Sequence, residues 1–298
     1  MRGTAMASQR LRDYLGPPIE DASEETFLLF SQDIPSNNLG FVDSKLTVVE
    51  LEIAGRDFAL QQSPGLLNSS RKTGTTGAVL WKITPLLGAW LASSPKLLSD
   101  LDVLHPGTTV VELGCGVAGL LGLLLSKLVK CYVLTDQEYV MKYLRENISN
   151  NAKAVNYHAN KSKRSDSRRA TSDEGVPKTL ALDWEIDRAE HLNSIIAPQD
   201  SLDLVVLCDC VYNDFLIKPL VQTCVDVCGL RGPDSHTIVL IAQQLRTDSV
   251  VELFLETMME HFDVWRVPEE RIGPGLGSGS GYVVHLAALK QPSRDREM

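Results

Sequence analysis

The sequence contains no uninterrupted apolar run approaching the ~18 residues of a membrane-spanning helix, so no span is expected. Its opening stretch, MRGTAMASQRLRDYLGPPIED, lacks an apolar signal core and carries acids, which predicts a chain that is not secreted. The sequons at Asn68 and Asn147 are then expected to carry no glycan. Paired CxxC sets are missing too. Cys115, Cys131, Cys208, Cys210, Cys224 and Cys228 mostly sit inside apolar runs, and 298 residues bury a core large enough to need no disulfide framework. Reduced thiols in the cytoplasm are the expectation. Cys224 and Cys228 are spaced to share a helix face, but no histidines match them, so packing is expected and no metal site. Positive charge is also in short supply. A formal net charge of −9 argues against a nucleic-acid-binding surface and suits an enzyme whose target is basic.

What is present reads in order along the chain. Residues 1–44 are mixed, with GPPIEDASEE and DIPSNN as turn or coil signals and TFLLF as a short apolar element that can dock. Residues 45–63 alternate around Ala54, Gly55 and Arg56, the pattern of a β-hairpin. AVLWKITPLLGAWLASS places Trp81, Leu86, Leu87, Trp90 and Leu91 at helical spacing, with Pro85 near a first turn.

From residue 107 strands alternate with helices, which predicts a largely parallel sheet. Strands are expected at 108–113, 130–136, 178–184, 201–209, 236–244, 262–267 and 281–289. Only GPGLGSGSG joins the last two, too short for a parallel crossover, so that pair is expected to be antiparallel. Residues 152–178 break the rhythm. They are polar and carry seven Lys/Arg against three acids, which reads as a basic flexible insertion. Such an insertion either contacts RNA or an acidic partner, or is simply solvated.

The chemistry sits in VVELGCGVAG, residues 110–119. A strand, then Gly114, Gly116 and Gly119, then a helix, a second strand and Asp136 make a nucleotide-binding geometry. Gly114 allows the tight turn, Gly116 lets a ligand approach the backbone, and Gly119 allows the helix to pack close to the strand. Asp136 ends the second strand, where its carboxylate can accept hydrogen bonds from two ribose hydroxyls. Glu112 stands two residues before the loop, and an anion there repels a pyrophosphate but attracts a cofactor bearing an amine and a sulfonium. That order favours S-adenosylmethionine over NAD, as does the antiparallel last strand.

Taken together, VVELGCGVAGLLG, LTDQEYVMKYLRENISNN, LALDWE and VVLCDCVYND resemble the seven-β-strand methyltransferases of family 16, a group of protein lysine methyltransferases, over about residues 75–290. The N-terminal hairpin and extended N-terminus are similar to the fungal ribosomal lysine N-methyltransferase 5 branch. The resemblance implies an α/β, Rossmann-like seven-stranded class I methyltransferase sheet with an N-terminal β-hairpin extension. It divides the chain into an extension (1–74), a methyltransferase domain (75–290) and a tail (291–298). It further implies that Trp81, Gly114, Cys115, Gly116, Asp136, Trp184 and Cys208 bind the cofactor. Asp209 and Tyr212 take the positions of the family's D-x-x-Y element, with Asp209 orienting the amine or cofactor and Tyr212 lining the amine channel. Cys210 is a departure at a middle position of that element. The partner it implies is a protein presenting a lysine, to be sought among ribosomal or translation proteins. Two readings stand beside it: a methyltransferase acting on something other than lysine, and a cofactor-binding scaffold without catalysis.

Overall fold

The computed structural model describes residues 3–35, 40–69, 75–156, 175–232 and 236–290. The chain runs first through α1 (Gly3–Leu15) and α2 (Ala22–Phe30), then the hairpin strands β1 (Val48–Ile53) and β2 (Arg56–Gln61). The short α3 (Pro64–Leu67), α4 (Ile83–Ala92) and α5 (Lys96–Asp100) follow. The alternating part comprises β3 (Thr109–Leu113), α6 (Leu120–Leu125), β4 (Cys131–Asp136), α7 (Glu138–Asn150), α8 (Ala152–Asn156) and β5 (Lys178–Ala181). It continues with β6 (Leu204–Cys208), α9 (Asp214–Gly229), β7 (Ile238–Gln244), α10 (Asp248–His261), β8 (Phe262–Arg266) and β9 (Tyr282–Leu289).

Strands β3 to β9 form one sheet in the order β5-β4-β3-β6-β7-β9-β8. Neighbours from β5 to β7 are parallel, and β9 runs antiparallel to both β7 and β8. The expected seven strands and antiparallel end are therefore present, and β1 and β2 make the separate two-stranded hairpin. Side-chain alternation explains why the central strands are apolar almost throughout: both faces are covered. Val110, Leu204 and Val206 point into one core shared with α4, α6 and α7. Val111, Leu113, Val205 and Leu207 point into the other, shared with α9 and α10.

Three local readings change. Residues 1–44, read from sequence as mixed with two turn or coil signals and one apolar element, carry two helices. The signal was local: Asp21 accepts from the amides of Ser23 (2.8 Å) and Glu24 (3.0 Å) and so caps α2. Trp81 lies before α4 rather than on its face; it bridges to Phe41, and Pro85 falls in the first turn of α4 as expected. Strand β5 stops at Ala181, so Trp184 sits in the turn that follows. Most of the basic stretch 152–178, and the tail 291–298, lie outside the described residues.

The hairpin is fastened by polar groups. Asn147 of α7 accepts from the Gln61 amide (2.7 Å) and donates to the carbonyls of Gln61 and Val117 (both 2.8 Å). One turn on, Asn151 accepts from the Ala59 amide (2.9 Å) and donates to its carbonyl (3.0 Å). Two carboxamides thus satisfy the open edge of β2 as a neighbouring strand would. Arg56 completes the joint by donating to the carbonyls of Leu123 and Leu124 at the end of α6.

Candidate functional site

The site grows from the carboxyl ends of β3, β4 and β6, the edge where doubly wound sheets hold ligands. Beyond β3 the backbone turns at Gly114 (φ +73°) and again at Gly116 (φ +64°). A Cβ on Gly114 would lie 2.9 Å from both Cys210 Sγ and the Trp184 ring, so no larger residue fits between them. The loop hangs on the next strand: the amides of Gly114 and Cys115 both donate to the Thr135 carbonyl, at 2.9 and 3.0 Å. Gly119 (φ +54°) opens α6, and a Cβ there would strike Leu144 and Leu134, which is the close packing expected of that third glycine.

Asp136 ends β4 and is oriented by the loop it faces. Its Oδ2 accepts from the Gly116 amide (2.8 Å) and its Oδ1 from the Gln137 amide (2.7 Å). Burial pushes its carboxyl up to about 6, the two backbone donors pulling the other way. A carboxylate has lone pairs for further donors, so the group remains suited to hydroxyls.

Glu112 corrects a premise of the sequence argument. It is buried on β3, accepts from the Tyr132 hydroxyl at 2.9 Å, and burial, reinforced by the charge of Asp136, raises it to about 8. At neutral pH it is therefore mainly protonated, not the standing anion expected beside the loop. The Tyr132 hydroxyl favours its ionised form, and a cation brought close would add to that.

Trp81, Gly114, Cys115, Gly116, Asp136, Trp184, Cys208, Asp209 and Tyr212 all line one cleft, with about 840 Å³ of empty space counted out to its mouth. The sequence thus brought together nine positions that the fold also brings together. Trp184 Nε1 is a buried donor with no partner among the described residues. Trp81 donates its indole N–H to the Thr76 carbonyl at 3.0 Å. Cys208 Sγ lies 3.6 Å from the Thr84 hydroxyl and Cys210 Sγ donates to the Leu113 carbonyl at 3.1 Å. Burial holds the thiols of Cys115, Cys208 and Cys210 well above the ordinary range, so they are neutral packing groups rather than nucleophiles. Burial also raises Tyr212, whose hydroxyl bonds Thr76.

Residue Asp209 is already partnered. It follows β6 at φ +59°, and Arg246 grips both its oxygens, Nη1 to Oδ1 at 2.7 Å and Nη2 to Oδ2 at 2.6 Å. Gln243, at the end of β7, holds the turn that follows: it accepts from the Val211 amide (3.0 Å) and donates to the Val211 carbonyl (2.6 Å). Arg246, Gln243 and Phe41 were not singled out from sequence. For the first two the available signal was QQLR, polar residues closing an apolar strand at the ligand edge. Phe41, whose ring lies 4.5 Å from that of Trp81, offered none. Asp203, just before β6, accepts from the Thr109 amide at 2.7 Å and ties that strand to β3.

Comparison with known proteins decides between the readings. Residues 61–261 match the family described as lysine methyltransferase. The chain belongs to that family. It is a protein-lysine methyltransferase, and its cofactor is S-adenosylmethionine. Among its relatives, ribosomal lysine N-methyltransferase 5 of Candida glabrata is 27% identical over 80% of this chain and 88% of its own length. The Zygosaccharomyces rouxii protein of the same name is 33% identical over 70% and 72%. A Schizosaccharomyces pombe protein named diaminohydroxyphosphoribosylamino-pyrimidine deaminase is 32% identical over 85% of the chain, which spans only 55% of that relative. Among the described residues of the methyltransferase, no three His, Cys, Asp or Glu side chains converge to hold a metal ion, and no helix is long and apolar enough to cross a membrane.

Proposed function

We propose that this methyltransferase acts in the cytoplasm on a lysine of a ribosomal or translation-related protein. The observation that carries the reading is the single cleft in which a glycine loop, a strand-end acid and the D-x-x-Y turn meet. The names of the fungal relatives support the ribosomal target, and the acidic balance of −9 supports a basic protein partner. Six free cysteines support a reducing compartment.

The residues present fit the cofactor. Gly114 and Gly116 line the cleft with backbone, Asp136 would take the ribose hydroxyls, and Trp184 and Leu182 would cover the base, the buried Nε1 of Trp184 having no acceptor among the described residues. Trp81, Cys115 and Cys208 would complete the wall. When bound, the sulfonium supplies an electrophilic methyl group.

The protein's part is to deliver a neutral amine in line with that methyl. Lysine has a pKa near 10.4, so neutralising it at pH 7 costs about 4 to 5 kcal/mol. A channel lined by Trp81, Tyr212 and Leu216 lowers that cost by desolvation. Tyr212 positions the nitrogen, and water receives the proton.

The test is thermal unfolding with S-adenosylmethionine, S-adenosylhomocysteine and NAD, for wild type and Asp136→Ala, followed by transfer of labelled methyl groups to isolated ribosomal proteins. At one hundred times the dissociation constant, the adenosyl ligands should stabilise the wild type by about 2.7 kcal/mol and the variant much less. Label should appear on a lysine of one ribosomal protein. Label on rRNA or on small molecules instead would overturn the proposed target.

A further inference from the structure

We propose that Arg246 is a positioning residue of the methyl-transfer site, neutralising Asp209 so that the amine channel does not hold its substrate as an ammonium ion. This rests on the lysine-methylation reading of the cleft.

The geometry is specific. The Asp209 side chain is 1% exposed yet lines the cleft, and its Oδ1 also accepts from the Gln244 amide (3.2 Å) and Gln243 Nε2 (3.2 Å). With Arg246 bidentate on it, little of the carboxylate's capacity remains for a substrate. Arg246 in turn lies with Cζ 4.7 Å from the centre of the Trp81 ring and donates to Gln244 Oε1 at 2.9 Å. Gly40 passes so close that a Cβ on it would lie 3.1 Å from Arg246 Nη2 and collide with Gln244 Oε1. One guanidinium therefore joins the segment at 40–41, Trp81 and the turn that carries Tyr212.

The chemistry gives that joint a purpose. A buried carboxylate with no partner stabilises any nearby ammonium and so opposes the deprotonation that transfer requires. Paired with arginine, which stays charged, it presents a wall with no net charge. Asp209 then shapes the channel through Arg246 instead of binding the amine itself.

The experiment measures methyl transfer to ribosomal protein by wild type, Arg246→Met, Asp209→Asn, the double variant and Arg246→Lys, with S-adenosylhomocysteine affinity alongside. Arg246→Met should lose tenfold or more in kcat, with KM for the protein unchanged or lower and S-adenosylhomocysteine affinity within twofold. Adding Asp209→Asn should restore part of the lost kcat, because the bare carboxylate is gone. Arg246→Lys should lie between wild type and Arg246→Met, and it answers the same question if the methionine variant does not fold. A kcat for Arg246→Met within twofold of wild type, or a double variant no better than the single, overturns the inference. If the wild type itself transfers no methyl group to ribosomal protein, the proposed target fails. Amide exchange then still decides the joint: Arg246→Met should speed exchange at 40–42 and 209–211 and leave 114–117 protected, and unchanged exchange at all of them overturns it.

Discussion

At the scale of the residue, the buried acids of the cleft control both stability and ligand binding. Glu112 is raised from 4.5 to about 8, chiefly by burial, so the folded state holds its proton more tightly than the unfolded chain does. Its contribution is complete below about pH 4.5 and is lost as pH rises to about 8. Glu112→Gln carries no such proton. Its stability relative to wild type should grow across that window by up to several kcal/mol, at roughly 1.4 kcal/mol per unit. Urea unfolding at pH 5 and pH 8 checks this, and parallel curves for the two proteins would refute it. Gly114 makes a second case. Gly114→Ala places a methyl against Cys210 and Trp184 at a left-handed φ, so affinity for S-adenosylhomocysteine should fall at least tenfold by calorimetry.

At the scale of the element, the hairpin is the informative piece. A lone two-stranded ribbon is marginal in water, and β1–β2 persists because α7 and its C-cap each offer it an asparagine and α6 offers two carbonyls to Arg56. Asn147→Ala strips a buried amide and two carbonyls of their partner. It should cost about 1 to 3 kcal/mol, lowering Tm by roughly 2 to 4 °C for each kcal/mol. Calorimetry reads the drop. The hairpin itself was legible, because two alternating runs flanked Ala54 and Gly55. Its fastening was not. Asn147 sits in a sequon on a helix, and nothing in a linear string says that its amide faces a strand edge.

At the scale of the whole molecule, the N-terminal extension and the sheet share one interior: Ala7, Leu11, Phe58 and Leu60 pack in the same core as Leu87 and Leu121. Helix α2 is held through a buried acid. Glu25 Oε1 lies 3.3 Å from His285 Nε2 on β9 and 3.4 Å from Arg266 Nε on β8. Burial pushes the Glu25 carboxyl up, but the hydrogen bond and charge of His285, with Arg266, outweigh it and leave it below the ordinary value of 4.5. A depressed carboxyl stabilises the fold above its unfolded pKa and loses that contribution as pH falls through the folded one. Protection of the amides along 22–30, taken relative to their intrinsic exchange rates, should therefore fall in wild type as pH drops below 4.5. Glu25→Gln should show low protection there at every pH, and identical protection profiles for the two would refute the tie.

The sequence by itself determined the seven strands, the antiparallel end and the glycine loop with its acid. Each depends on a short window: apolar runs alternating with helical stretches, three glycines in six positions, and a connection too short to cross over. Gly114, Gly116, Asp136 and Asp209 were legible because they follow strands whose carboxyl ends must share an edge, whereas Trp81, Trp184, Cys208 and Tyr212 were named by the family resemblance; all of them line the cleft. Only the tertiary structure decided which charges stand alone. Glu112 looked like an anion until its burial was known, and Asp209 looked free until Arg246, thirty-seven residues on, was seen to grip it. Protonation and pairing depend on the dielectric and on neighbours brought by folding, and neither is written at the residue's own place in the chain.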